Sequence, residues 1–128
     1  MSVLPIKLFF DSGCRPNPGK IEGAVVRKGV VHYRHDLGEG DNSDAEWLAA
    51  IHALEIAAGH GDLDVVLLGD STVVVTQANG RAPCRSAALK AHRARFAEIA
   101  LGFDRVRLRH IGRAQNLAGI ALARLHPR

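Results

Sequence analysis

The apolar residues of this chain fall in short blocks separated by polar turns, and that brevity sets the architecture. Ile6 to Phe10 and Val65 to Leu68 have the length and continuity of strands buried on both faces. Neither they nor Val73 to Val75 approach the roughly 20 apolar residues of a membrane-crossing helix, so no membrane span is expected. The first block runs into the turn-forming stretch Asp11-Ser-Gly-Cys-Arg-Pro-Asn-Pro-Gly19. Gly23 to Arg27 and Val30 to Arg34 predict a hairpin folded at Lys28-Gly29. After the polar stretch Gly38 to Ser43, helical spacing takes over. Trp47, Leu48, Ile51, Leu54 and Ala58 predict a helix over Asp44 to Ala58, stopped by Gly59. Ser71 to Ala78 reads as a short helix closed by Asn79-Gly80, and Ser86 to Leu101 as an amphipathic helix with Lys90, Arg93 and Arg95 outside. Val106 to His110 then predicts a strand and Asn116 to Leu125 a closing helix. The order is βββαβααβα, an α/β layer arrangement around a mixed sheet.

A chain of 128 residues without linker, repeat or low-complexity segment is expected to form one domain spanning 1–128. With 47% hydrophobic and 23% charged residues, global disorder is excluded. Met1 to Phe10 carries Lys7 inside its apolar stretch and has no small-residue cleavage site, so a cytoplasmic protein with Cys14 and Cys84 as free thiols is expected. The net charge of +4 conceals an uneven distribution. Residues 1–80 hold six Lys/Arg against eleven Asp/Glu, whereas residues 81–128 hold eleven against two. Such a basic C-terminal part is either a solvated face or a field that attracts a polyanion.

Three acids take matching places: Asp11 at the end of the first strand, Glu46 in the first turn of the long helix, and Asp70 at the end of the fourth strand. Each also has a plain structural reading. Asp11 suits a turn, Glu46 completes a Ser43-x-x-Glu46 capping box, and Asp70 suits the cap of the following helix. Strand ends and helix starts gather at one edge of an α/β sheet, however. Three carboxylates brought together there repel one another unless a cation neutralises them. All-oxygen ligands suit Mg²⁺ or Mn²⁺, and with a polyanion-attracting stretch they point to metal-assisted phosphodiester chemistry.

Four segments together give the chain a family likeness: Asp11 to Gly19, Asp41-Asn-Ser-Asp-Ala-Glu46-Trp-Leu-Ala-Ala-Ile51, Gly69-Asp70-Ser71-Thr-Val-Val-Val-Thr-Gln77-Ala-Asn-Gly80, and His110-Ile-Gly-Arg113-Ala-Gln-Asn116. In this order and spacing the chain resembles the ribonuclease H family, type 1, over nearly its whole length. The resemblance implies a five-stranded mixed sheet flanked by helices and hydrolysis of the RNA strand of an RNA–DNA hybrid with two Mg²⁺ (or Mn²⁺) ions. Asp11 would bridge both ions, with Glu46 and Asp70 completing one of them. Asn17, Asn42 and Ser43 fall where the family contacts the hybrid's minor groove, and Cys14 and Thr72 lie beside such positions. Small polar side chains there can reach the 2′-hydroxyl that marks RNA. Asn17 reads equally as part of an Asn-Pro-Gly turn.

The chain departs from the family pattern at two places. Its last helix lacks the aspartate of Asn-x-x-Ala-Asp-x-Leu-Ala, because Asn116-Leu-Ala-Gly-Ile120-Ala-Leu122-Ala123 puts Ile120 there. The loop position where the family often has a proton-shuttling histidine is Arg113, which can hold a phosphate but stays protonated and cannot act as a base. His110 nearby reads as a structural histidine rather than a replacement. The expectation is a hybrid-cutting nuclease weakened by the missing carboxylate; the alternative is a catalytically inactive module that still binds hybrid or other nucleic acid. No protein partner is evident.

Overall fold

The computed structural model describes residues 4–126; the first three residues of the segment read above for targeting lie outside it. Strands β1 (Ile6–Arg15), β2 (Gly19–Arg27) and β3 (Val30–Gly40) are followed by helix α1 (Asn42–Gly59), strand β4 (Asp64–Gly69), helices α2 (Thr72–Ala78) and α3 (Ala87–Ala100), strand β5 (Arg105–His110), a 3₁₀ turn at Arg113–Gln115 and helix α4 (Leu117–Arg124). The predicted element order and α/β architecture are both present. The five strands lie in the order β3-β2-β1-β4-β5, with β1, β2 and β3 antiparallel and β1, β4 and β5 parallel.

Alternation along β1 divides the core in two. Leu8 and Phe10 point toward α1 and α3, joining Trp47, Leu54, Leu67 and Phe96 in the main cluster. Phe9 points the other way, against Ala24, Val26, Ala118 and Leu122, so that side is covered by α4. Trp47 is fully buried, and its indole N–H donates to Gln77 Oε1 at 2.7 Å, tying α1 to α2. Among the described residues no helix is long and apolar enough to cross a membrane. Cys14 and Cys84 are free thiols.

The antiparallel ribbon is longer than expected. β1 does not end at Phe10 but pairs with β2 as far as Arg15↔Lys20, and β3 runs on to Gly40, opposite Gly19. Backbone ladders hold these polar, glycine-rich ends without needing apolar side chains. Asp11 is therefore a strand residue, paired with Ala24, and not part of a turn. Helix α1 also starts earlier, at Asn42, which moves Glu46 beyond the first turn.

Candidate active site

Two of the structural roles open to the acids belong to other residues. The cap of α1 is Asp41, whose side chain accepts from the Asp44 N–H while Asp44 accepts from the Asp41 N–H, both at 3.0 Å. This reciprocal pair replaces the expected Ser43-x-x-Glu46 box. Asp44 also bonds His92 of α3, Nε2 to Oδ1 at 2.9 Å, a contact remote in sequence. The cap of α2 is Ser71, not Asp70. With Asp11 in a strand, none of the three carboxylates serves the turn or cap expected for it.

What they share is a cleft of about 680 Å³. The parallel pairing of β1 with β4 ends at Phe9↔Leu68. Asp11 and Asp70 each follow two residues later, where β1 continues along β2 and β4 stops. Gly69 is required at that stop, because a Cβ on it would stand 2.5 Å from Phe10 Cζ. Glu46 projects into the same space from α1, and Asn42, Ser43, Thr72 and Arg113 line it with the acids. Asn116 holds the arrangement. Fully buried, it donates from Nδ2 to Phe10 O at 3.1 Å and to Asp70 Oδ2 at 3.2 Å, while its Oδ1 caps α4 at Ala118 N.

The electrostatics follow from this crowding. Burial and the neighbouring charge of Asp70 push Asp11 up to about 6, against a smaller opposing pull from the Ser12 backbone N–H and Arg113. Burial, then Asp11, push Glu46 up to about 8; Ser12 beside it and Arg113 oppose the rise, while Asp70 adds to it. Although close enough to ease ionisation, the Ser12 hydroxyl makes no hydrogen bond of normal geometry, and Glu46 Oε2 is likewise buried and unpartnered. Among the described residues, no three acidic, histidine or thiol groups already stand as a closed ligand set. The acids instead share the cleft with Arg113, whose charge offsets only part of the burial and mutual repulsion that raise Asp11 and Glu46.

Cys14 and Asn17 do not line the cleft. Asn17 is exposed in the β1–β2 turn. The Cys14 thiol donates to Gly40 O at 3.0 Å, fastening the turn end of β1 to the end of β3. His110 is exposed rather than structural. From α4, the cleft receives Gly119, Ile120 and Ala123, none of which bears a polar side chain. Ser12, Asn116 and Gly119 were not singled out from the sequence. Ser12 and Asn116 each stood in a matching segment, the first and the fourth, and Gly119 in the last-helix run beside Ile120, but none was given a role.

A family model described as "Reverse transcriptase-like" matches residues 23–126. A curated relative, ribonuclease HI of Halobacterium salinarum, is 34% identical over 127 residues, an alignment covering 92% of this chain and 62% of the relative. The chain thus spans less than two thirds of that protein's length. The crystal structure of RNase H1 from Halobacterium salinarum superposes with a TM-score of 0.85 at 33% identity, covering 92% of this chain and 93% of that one. LC11-RNase H1 in complex with an RNA/DNA hybrid superposes with a TM-score of 0.76 at 28% identity, covering 88% of each chain. A family match over most of the chain, a relative of this identity and a shared strand order lead to one conclusion: the chain belongs to the ribonuclease H family, type 1.

Proposed function

We propose that this chain hydrolyses the RNA strand of RNA–DNA hybrids at a site formed by Asp11, Glu46 and Asp70, with a divalent cation as cofactor. The observation that carries the reading is the meeting of three carboxylates from β1, α1 and the end of β4 in one cleft, relieved of the structural roles open to them. The residues fit Mg²⁺ or Mn²⁺: the donors are all oxygen, Glu46 Oε2 lacks a partner, and the mutual repulsion is what a cation would remove. Asp11, Glu46 and Asp70 would hold the two ions expected from the family resemblance. When bound, such ions supply Lewis-acid stabilisation of the charge that builds on a phosphodiester under attack.

The remaining roles fall to the chain's own side chains. Arg113, permanently charged at the rim, holds a scissile-strand phosphate and moves no proton. Asn42, Ser43 and Thr72 are small neutral groups suited to a minor groove and its 2′-hydroxyls. Asn17 extends this row past the cleft, and Cys14 sets the position of its turn. The hybrid in the LC11 neighbour supports this substrate class. Cleavage of labelled hybrid, double-stranded RNA and double-stranded DNA tests the reading. The RNA strand of the hybrid should be cut, and Asp70→Asn should abolish cutting; preference for either other duplex would contradict it.

A second reading, a binding module without catalysis, is favoured by one observation: α4 presents Gly119 and Ile120 to the cleft where the family has a carboxylate. Its mark would be hybrid binding that weakens steeply with salt, with no cleavage at any Mg²⁺ or Mn²⁺ concentration.

A further inference from the structure

We infer that the sheet face left open beside α4 is a second phosphate-binding surface, which carries the backbone of a nucleic-acid duplex extending beyond the cleft. This rests on the proposed action on nucleic acid. Helix α4 packs against β1, β2 and β3, and among the described residues no helix covers the same side of β4 and β5. In β5, Val106 and Leu108 face the main core, so Arg105, Arg107 and Arg109 face the open side. The registers set them beside Asp64, Val66 and Leu68 of β4, and set Lys7 of β1 next to Val66. Val66 and Leu68 are nevertheless buried, at 3% and 9% exposure. The aliphatic stems of the flanking arginines and lysine are positioned to cover them, which holds the charged heads in a row above.

The charge of this row selects its occupant. One acid on the open face, Asp64, answers it and is taken by Arg107 at 3.4 Å. Arg105, Arg109 and Lys7 are exposed. Edge strands are often guarded by charge against pairing with other chains, but either sign serves for that. Here all three arginines of β5 lie on one face, at intervals of roughly 6.6 Å. The row is also continuous with the cleft, since β5 leads through Ile111, which donates to Gly69 O, into the turn that places Arg113 at the rim. A polyanion leaving the cleft past Arg113 meets Arg109 next. This surface also uses part of the basic stretch 81–128 that the cleft leaves unexplained.

The test is equilibrium binding of fluorescent RNA–DNA hybrids of about 6 and about 18 base pairs, roughly 20 and 60 Å long, to wild type and Arg105→Gln/Arg109→Gln across a salt series without divalent ion. Both residues are exposed, and thermal melts of wild type and variant check folding. The variant should bind the long duplex about tenfold more weakly, with a log-log salt slope smaller by about 2, and bind the short duplex unchanged. Lys7→Gln should reduce the long-duplex slope by about 1. Equal slopes for wild type and variant on the long duplex would overturn the inference. So would a variant that loses affinity for polyglutamate but not for the duplex, which would assign the face to an acidic protein. Cleavage assayed in parallel separates the two claims: a length effect without cleavage defeats the nuclease reading and leaves this surface standing, and cleavage without a length effect does the reverse.

Discussion

Gly119 of α4 lies directly against Asp11 of β1: a Cβ on this glycine would stand 3.0 Å from Asp11 Oδ2. The last helix therefore approaches the carboxylates as closely as a side-chain-free residue allows. The following position, Ile120, lines the cleft and is 38% exposed. Helix α4 thus brings its backbone to the three acids but contributes no carboxylate to the cleft.

Ile120→Asp should therefore raise hybrid cleavage at least tenfold, about 1.4 kcal/mol of transition-state stabilisation, and lower the Mg²⁺ or Mn²⁺ concentration needed. Because Ile120 is partly exposed, stability should change by less than about 1 kcal/mol. Steady-state cleavage against metal concentration checks this; no gain in a folded variant would show that more than the fourth carboxylate is lacking.

Asp70→Asn should stabilise the metal-free protein by about 1 kcal/mol, since it removes a charge that raises both Asp11 and Glu46 while the amide oxygen can still accept from Asn116. Urea melts of the two proteins in a chelator measure it. An unchanged or lower midpoint would mean that the acids do not repel one another as argued.

These residues also mark what the sequence made legible. Element order was readable because strands and helices here are short and bounded by turns. The ends of β1 and β3 were not, because Ser12 to Arg15 and Gly38 to Gly40 are held by backbone pairing that leaves no apolar pattern. The start of α1 offers the four-residue capping pattern twice, as Asp41-x-x-Asp44 and Ser43-x-x-Glu46. In the fold Asp44 also meets His92, 48 positions away, while Glu46 enters the cleft, and neither destination is written in the local pattern. The acids and Ile120 were legible as motif positions. The role of Asn116 in joining β1, Asp70 and α4 was not, since it depends on three segments meeting in space.

Stability should fall with rising pH in the metal-free protein. Glu46 is raised from 4.5 to about 8, so the folded state keeps a proton that the unfolded chain has released. The associated stability is fully present below the unfolded value and is lost as pH rises toward 8. His52 acts in the opposite sense lower down. Burial, then Arg34 and His32, depress it to about 4, so its contribution is present above 6.5 and lost as pH falls to 4. Between pH 6.5 and 8 Glu46 dominates, and denaturant melts should show a loss of about 2 kcal/mol, reversed by millimolar Mg²⁺. A flat profile without metal would contradict the assignment.

His52→Leu should stabilise the fold by about 1 kcal/mol at pH 7 and by more at pH 5, because His52 is buried with Nδ1 unpartnered and its charging opposes folding as pH falls. Melts of both proteins at pH 5 and pH 7 check both effects. A gain over wild type that is the same at the two pH values would show that His52 does not titrate as argued.

Gln77→Leu should cost about 2 kcal/mol, since it strands the buried Trp47 indole N–H and frees the carbonyl of Pro83. Its cleavage should remain near wild type when assayed well below the melting temperature. A melt as stable as wild type would mean that the α1–α2 tie carries no weight.

The most direct measurement is cleavage of an end-labelled RNA strand in a hybrid, titrated with Mn²⁺, for wild type and Asp11→Asn. If Asp11, Glu46 and Asp70 hold divalent ions against the substrate, wild type cuts the RNA strand, leaves the DNA strand whole and saturates with metal, while Asp11→Asn is inert. Cutting by Asp11→Asn at the wild-type rate, or no cutting by wild type at any Mn²⁺ concentration, would contradict it.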